Sequence, residues 1–269
     1  HITTAIKTEF TVADAIVQEL KREGVEVAFG IVSIHNMPIY DAILRDGSIH
    51  LVAARGESGA VNMADGYARA TGKIGVIITS TGAGAGNTAG ALTEAWNRGV
   101  PLLHIAGEVA FPYLGTGKRY IHECKDQLQM MEGASKNAYL VKRPEQIASM
   151  TRHAIDEAKA LPSGPVTINI PIDYQSVIVP KTQFIEEKQE TKVAPVHIPE
   201  EVIEKIVKAK RPTIWAGGGV LEAEATEELK QLVEKIGAPV ISGQSGKGAI
   251  PENHPQWIGH FATMPLTRE

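Results

Sequence analysis

Cysteine is nearly absent from the chain: Cys124 is the only one. A single thiol excludes an intrachain disulfide and a cysteine-rich zinc site, and it fits a reducing, cytoplasmic compartment. No apolar run reaches the length of a membrane span, because Gly, Pro or polar residues interrupt each one. The opening residues, HITTAIKTEF, hold neither the apolar core of a secretory signal nor an initiator Met, so the start is read as processed or trimmed. Positive charge is not in excess either. Lys and Arg number 27 against 31 Asp and Glu, for a net charge of −4, and no basic stripe offers a nucleic-acid footprint.

What is present is an ordinary globular composition, 43% hydrophobic and 22% charged, over 269 residues. That length suits two domains, or one domain and part of another. The 26 glycines cluster rather than scatter.

Thr11 caps a predicted helix, TVADAIVQELKREG, with Val12, Ala15, Ile16 and Leu20 on one face, Asp14 just past the cap and Gly24 as the stop. Strands are predicted at 25–31, 49–54, 73–80, 100–107 and 165–171. Helices open at Pro38, at Glu57 and after the glycine turn 81–90, and a long amphipathic helix lies within 143–164. Strand, loop and helix in repetition imply an α/β fold, a parallel sheet with helices on both faces. Right-handed crossovers then gather loops 31–37, 55–57, 80–87 and 107–119 at one edge, where ligands bind in such sheets. Those loops carry Ser33, His35, Glu57, Asn87 and Glu108. Residues 184–197 are charged and aperiodic and read as a linker between a first domain, 1–183, and a second α/β domain beginning at 198. The second domain shows two strands and two helices. A sheet that small buries too little surface, so the sequence is expected to stop inside this domain.

GAGNTA (84–89) fits G-x-G-x-x-A between a strand and a helix, and Glu108 lies at the end of the next strand. A dinucleotide site has this form, but its fingerprint belongs on the first strand–helix unit and here follows the third strand. A tight turn needing Gly for its backbone has the same form, as does a turn serving another ligand. His35, in a loop, is a catalytic candidate or simply exposed. His104, inside an apolar strand, reads as a satisfied core residue. His122, Glu123 and Asp126 form a polar knot in YIHECKD, and no metal ligand set is assigned to it. Cys124 has no recognisable base beside it. Glu57 opens a helix, where a carboxylate is favourable for electrostatic reasons alone. The small residues that follow it would also let a cofactor ring approach closely.

The run RGESGAVNMADGYARATGKIGVIITSTGAGAGNTAGALTEAWNRGVPLLHIAGE (55–108) resembles the N-terminal pyrimidine-binding domain of thiamine-diphosphate enzymes, with the acetolactate synthase, benzoylformate decarboxylase and benzaldehyde lyase group nearest. The family's R-H-E run is here Arg55-Gly56-Glu57, and its A-D-G-Y-A-R-x-T-G helix spans Ala64 to Gly72. Its T-S-G-P-G-x-x-N turn corresponds to Thr79 to Asn87, with an extra residue and no Pro. FGIVSIHNMPIYDAI (29–43) is similar to the first cofactor loop, GPVTINIPIDYQ (164–175) to the end of the first domain, and AKRPTIWAGGGV onward to the start of the middle domain.

The resemblance implies the thiamine-diphosphate-binding fold followed by a partial second α/β domain. It implies that Glu57 hydrogen-bonds N1′ of the cofactor's aminopyrimidine and so promotes loss of the thiazolium C2 proton. Thr81, Gly82, Gly84, Gly86 and Asn87 would line the pyrimidine pocket. Ser33, His35 and His122 would face the substrate, with His35 as a second catalytic residue. A histidine matching His35 occurs in the benzaldehyde lyase type, and His122 stands where many acetolactate synthases have Gln; both point to a different donor or acceptor. Thiamine diphosphate and Mg²⁺ are the implied cofactors, held largely by residues outside this chain, because no G-D-G run occurs here. FAD, which some relatives bind through the middle domain, has no support in the residues present. The implied chemistry is that of a C–C lyase or carboligase acting on a 2-oxo acid or 2-hydroxy ketone, in a homodimer or homotetramer with the active site between subunits. Two rivals stand beside it: a dinucleotide-binding oxidoreductase using Gly84, Gly86 and Glu108, and a non-catalytic relative of the family.

Overall fold

Strands β3 (Gly75–Thr79) and β4 (Leu102–Glu108) are buried at every residue, which requires a sheet covered on both faces. The computed structural model describes residues 9–181 and 196–261. It divides into two units, residues 1–185 and 186–269.

The first unit is built on a six-stranded sheet of order β2-β1-β3-β4-β6-β5. The other strands are β1 (Val27–Gly30), β2 (His50–Ala53), β5 (Asn137–Leu140) and β6 (Pro165–Pro171), and every pairing is parallel. Successive residues of a strand serve opposite faces. Val76, Ile78, Leu103 and Ile105 pack under α1 (Val12–Arg22), α2 (Met37–Asp46) and α7 (Ile147–Lys159). Ile77, Leu102 and Ala106 pack under α3 (Glu57–Thr71), the short α4 (Ala83–Gly86), α5 (Ala89–Arg98) and α6 (Gln127–Glu132). Each fully buried Ile or Leu of these strands contributes roughly 1.5–3 kcal/mol, so the two apolar layers dominate the unit's stability. The cap on α1 forms as a reciprocal box: Thr11 N donates to Asp14 Oδ2 at 2.9 Å, and Asp14 N to Thr11 Oγ1 at 3.4 Å. The short α8 (Ile172–Gln175) follows β6 directly.

Four short elements of the first unit escape the sequence reading: α4, α6, β5 and α8. β5 is a four-residue edge strand, NAYL, with a single buried position and no β-branched residue, so it lacks both the alternation and the propensity that mark strands. α6 is six residues long, under two turns, too short to show a helical period.

Chain order and sheet order together create a crevice. β1 leads through α2 outward to β2, whereas β3 leads through α4 and α5 the other way to β4. Loops leaving β1 and β3 therefore diverge, and ligands bind at such switch points.

His104 sits at the centre of β4, fully buried. Thr79 Oγ1 lies 2.8 Å from its Nε2 and Thr167 Oγ1 3.1 Å from its Nδ1, so it is a satisfied core residue. Burial pushes its imidazole down to about 3 from an ordinary value of 6.5. The unfolded chain therefore binds a proton that the folded chain refuses throughout that interval. His104's contribution is complete above about pH 6.5 and is lost as pH falls, by at most about 1.4 kcal/mol per unit. The expected result is a thermal midpoint that drops between pH 7 and pH 4, with a shallower slope in His104→Gln. An unchanged slope in the variant would refute this assignment.

The second unit holds a three-stranded parallel sheet, β7 (Ile214–Ala216), β8 (Val240–Ser242) and β9 (Trp257–His260), in that order, with α9 (Glu200–Lys208), α10 (Gly219–Glu222) and α11 (Thr226–Ile236). β9 and α10 correct the expectation of two strands and two helices. No helix joins β8 to β9; turns span 243–256, so the usual strand–helix–strand rhythm is missing there. The predicted linker 184–197 falls, except for its last two residues, outside the described residues. No helix among the described residues is long and apolar enough to cross a membrane.

Candidate functional site

Glu57 is the first residue of α3, and Gly56 before it is extended. A carboxylate is stabilised there by the helix dipole, but a second tie goes beyond that. Asn87 Nδ2, at the end of α4, donates to Glu57 Oε2 at 3.1 Å. Among the described residues no hydrogen bond falls on the other oxygen, Oε1. Beside it lies a cradle that a side chain would fill: a Cβ on Gly84 would stand 3.4 Å from Glu57 Oε1 and 2.7 Å from Ser80 Cβ. The carboxylate thus has one oxygen held and one oxygen open, against a backbone stripped of side chain.

The turn that presents Gly84 is braced from below. Gly82 adopts φ 56°, ψ −105°, a conformation closed to residues with a Cβ. Its amide donates to Gln127 Oε1 at 2.5 Å, and the same oxygen accepts from Thr81 Oγ1 at 2.8 Å. Gln127 Nε2 donates to Gly107 O at 2.9 Å and to Asn169 Oδ1 at 2.8 Å. The side chain is 2% exposed, so this one amide joins α6, the glycine turn, β4 and β6. Thr81 Oγ1 also lies 2.9 Å from Glu108 Oε1. A hydroxyl has one proton for these two acceptors, and burial raises the Glu108 carboxyl above its ordinary value.

Two sequence expectations change here. Thr81 is fully buried with its hydroxyl committed to Gln127 and Glu108, so it supports the turn from beneath. Glu108 is the last residue of β4, 4% exposed, and Val109 N donates to it at 2.8 Å. It is no loop residue and turns no carboxylate toward a ribose, which removes the second half of the dinucleotide reading.

Loop 31–36 is pinned at several points. Ser33 Oγ donates to Ser80 Oγ at 2.8 Å, across the crevice between β1 and β3. Ser33 N donates to Asn36 Oδ1 at 2.7 Å, and Asn36 Nδ2 to Ile31 O at 3.0 Å. His35 N reaches Ser33 Oγ at 3.2 Å. His35 is 5% exposed, and its Nδ1 is buried without a hydrogen-bond partner. Burial pushes its imidazole below the ordinary histidine range, and the nearby His122 pushes in the same direction. The two rings meet edge to face, centroids 5.9 Å apart. His122 has φ 61°, and its carbonyl oxygen would lie 1.8 Å from a Cβ on Gly82.

Ser33, His35, Glu57, Gly82, Gly84, Asn87 and His122 therefore form one connected constellation, drawn from the loops after β1, β2, β3 and β4. Gly86 faces elsewhere; a Cβ there would stand 3.5 Å from Met130 Sδ. Glu123 accepts from Gly117 N and Tyr120 N, and Asp126 caps α6 by accepting from Gln129 N. Among the described residues no group of three or more His, Cys, Asp or Glu could hold a metal ion. Ser80, Asn36 and Gln127 were missed by the sequence reading. Only the S-T pair before the glycines hinted at Ser80, and nothing local marks a buried glutamine.

A family model described as thiamine pyrophosphate enzyme, N-terminal TPP binding domain, matches residues 10–130, and one described as thiamine pyrophosphate enzyme, central domain, matches residues 199–269. The chain is 34% identical over 252 residues to the acetolactate synthase large subunit of Buchnera aphidicola subsp. Schizaphis graminum, covering 91% of this chain and 44% of that protein. It is 35% identical over 259 residues to an acetolactate synthase of Arthrospira platensis, covering 93% and 44%. The chain thus spans less than half the length of the curated relatives it matches. Its fold superposes with a TM-score of 0.80 on a thiamine diphosphate-dependent 4-hydroxybenzoylformate decarboxylase of Rhodococcus jostii RHA1, at 24% identity, covering 93% of this chain and 47% of that one.

Proposed function

Since the chain belongs to the thiamine pyrophosphate enzyme family, we propose that it supplies the pyrimidine side of a site for C–C lyase or carboligase chemistry on a 2-oxo acid or 2-hydroxy ketone. The observation that carries this reading is Glu57, with one carboxylate oxygen held by Asn87 and the other open beside Gly84. These residues fit the aminopyrimidine half of thiamine diphosphate: a hydrogen-bonding carboxylate, and a glycine cradle where a Cβ would intrude. When bound, the cofactor supplies an electron sink for breaking or forming a carbon–carbon bond next to a carbonyl.

Glu57 holds and moves a proton at a ring nitrogen, and Asn87 orients its carboxylate. Gly82 and Gly84 keep the turn free of side chains, and Thr81 braces it. Ser33, His35 and His122 face the substrate. His35 exchanges a proton with a substrate oxygen. Diphosphate and Mg²⁺ fall to residues outside this chain, in a homodimer or homotetramer whose active sites lie between subunits, in the cytoplasm.

The test is calorimetric titration of the assembled enzyme, this chain together with the residues that hold diphosphate and Mg²⁺, with thiamine diphosphate and Mg²⁺ and separately with NAD(H), followed by turnover assays across 2-oxo acids. Saturable binding of thiamine diphosphate alone, with turnover of at least one 2-oxo acid, is expected. Binding of NAD(H) alone would sink the proposal, and cofactor binding without any turnover would make the chain a non-catalytic relative.

A further inference from the structure

The backbone of His35 is held on both sides while its buried Nδ1 has no hydrogen-bond partner, and one of the holding residues lies far away in sequence. Gln175, on α8, is fully buried. Its Nε2 donates to His35 O at 2.7 Å and to Ile170 O, on β6, at 3.1 Å. Its Oε1 is buried without a partner. That dictates the orientation of the amide, because turning it over would set its oxygen against two carbonyl oxygens. On its other side the His35 carbonyl rests on bare backbone: a Cβ on Gly107 of β4 would lie 2.4 Å from His35 O and 3.0 Å from His35 Cβ. His35 N is tied to Ser33 Oγ at 3.2 Å. The residue is held at its amide by its own loop and at its carbonyl by the far end of the domain.

We propose that Gln175 is a positioning residue for His35, anchoring the loop after β1 to the end of β6 so that the His35 ring stands in the site with Nδ1 unpartnered. This rests on the reading of His35 as a substrate-facing acid–base group. Gln175 touches no reacting atom; it acts through the His35 backbone. Misplacement of a catalytic group by about 1 Å can cost about 100-fold in rate.

The experiment uses Gln175→Met, which keeps length and removes both donors, and Gln175→Glu, which keeps shape and replaces the donor nitrogen by an acceptor. Both are compared with His35→Phe and with the double variant Gln175→Met/His35→Phe. Turnover is measured in protein that circular dichroism shows to be folded at the assay temperature, and the His35 ring is titrated by NMR with labelled histidine. The expected result is a loss in kcat of about 100-fold for Gln175→Met, and a His35 titration that moves up toward the ordinary range. The double variant should be no slower than His35→Phe alone, as expected for residues acting as one unit. An unchanged His35 titration in both Gln175 variants, or losses that multiply in the double variant, would overturn the proposal. Wild-type turnover in His35→Phe, with the titration still shifted in Gln175→Met, would instead overturn the role of His35 and leave the anchoring intact. If Gln175→Met does not fold, Gln175→Glu carries the same comparison.

Discussion

Glu57→Gln lowers cofactor-dependent turnover by roughly 10²–10⁴-fold, the usual worth of a positioned proton-transfer group. The substitution is nearly isosteric, and the new amide oxygen can still accept from Asn87 Nδ2, which now lies 3.1 Å from Oε2. What it removes is a group able to take up and release a proton. Stability should hardly change, because a partly exposed first-turn carboxylate is worth only about 0.3–1 kcal/mol to its helix. Steady-state kinetics with a responsive 2-oxo acid, alongside a thermal melt, checks both halves. Turnover near the wild-type level would end the assignment of Glu57 as the proton mover. A collapse in the melt would mean that the carboxylate is structural, which the open Oε1 argues against.

Gly82→Ala destabilises the first unit by about 3 kcal/mol or more. Two penalties coincide at this position. The backbone sits at φ 56°, ψ −105°, outside the regions open to an L-residue with a side chain. The new methyl would also lie 1.8 Å from His122 O and 2.9 Å from the His122 carbonyl carbon, so backbone rather than a flexible side chain must move. A thermal midpoint lower by roughly 6–12 °C follows for a unit of this size. Any protein that stays folded should also lose turnover, because the shift displaces His122 and loosens the amide that Gln127 holds. Gly86→Ala is the control, since its methyl meets only the flexible Met130 Sδ at 3.5 Å. A Gly82→Ala midpoint within about 1 °C of wild type would mean that the turn relaxes freely and that Gly82 has no special role.

The sheet was legible because its signals are local. Alternating and continuous apolar runs, a Thr–Asp capping box and glycines at helix ends each report on neighbours within a turn or two, and the structure shows these elements in parallel order. Glu57 and the helix after it were legible for the same reason: an acid at a helix start and a run of small residues are contiguous features. α6 was not, being under two turns long, and neither were β5, which has no β-branched residue, and β9, which no helix joins to β8. The site was half legible. Ser33, His35, Glu57, Gly84, Asn87 and His122 do meet, yet Thr81 and Glu108, which sit in the same motifs, turn inward as a brace.

The amino-acid order by itself determined an α/β parallel sheet, a loop-bearing edge and a carboxylate at the mouth of α3, because hydrophobic periodicity and turn chemistry are encoded residue by residue. Only the tertiary structure decided which polar side chains face a ligand and which hold the loops. Gln127 reaches Gly82 and Asn169, and Gln175 reaches His35, over separations of 45, 42 and 140 residues. A buried amide finds its partners through the packing of strands and loops around it, and no pattern in its own neighbourhood records where those partners are.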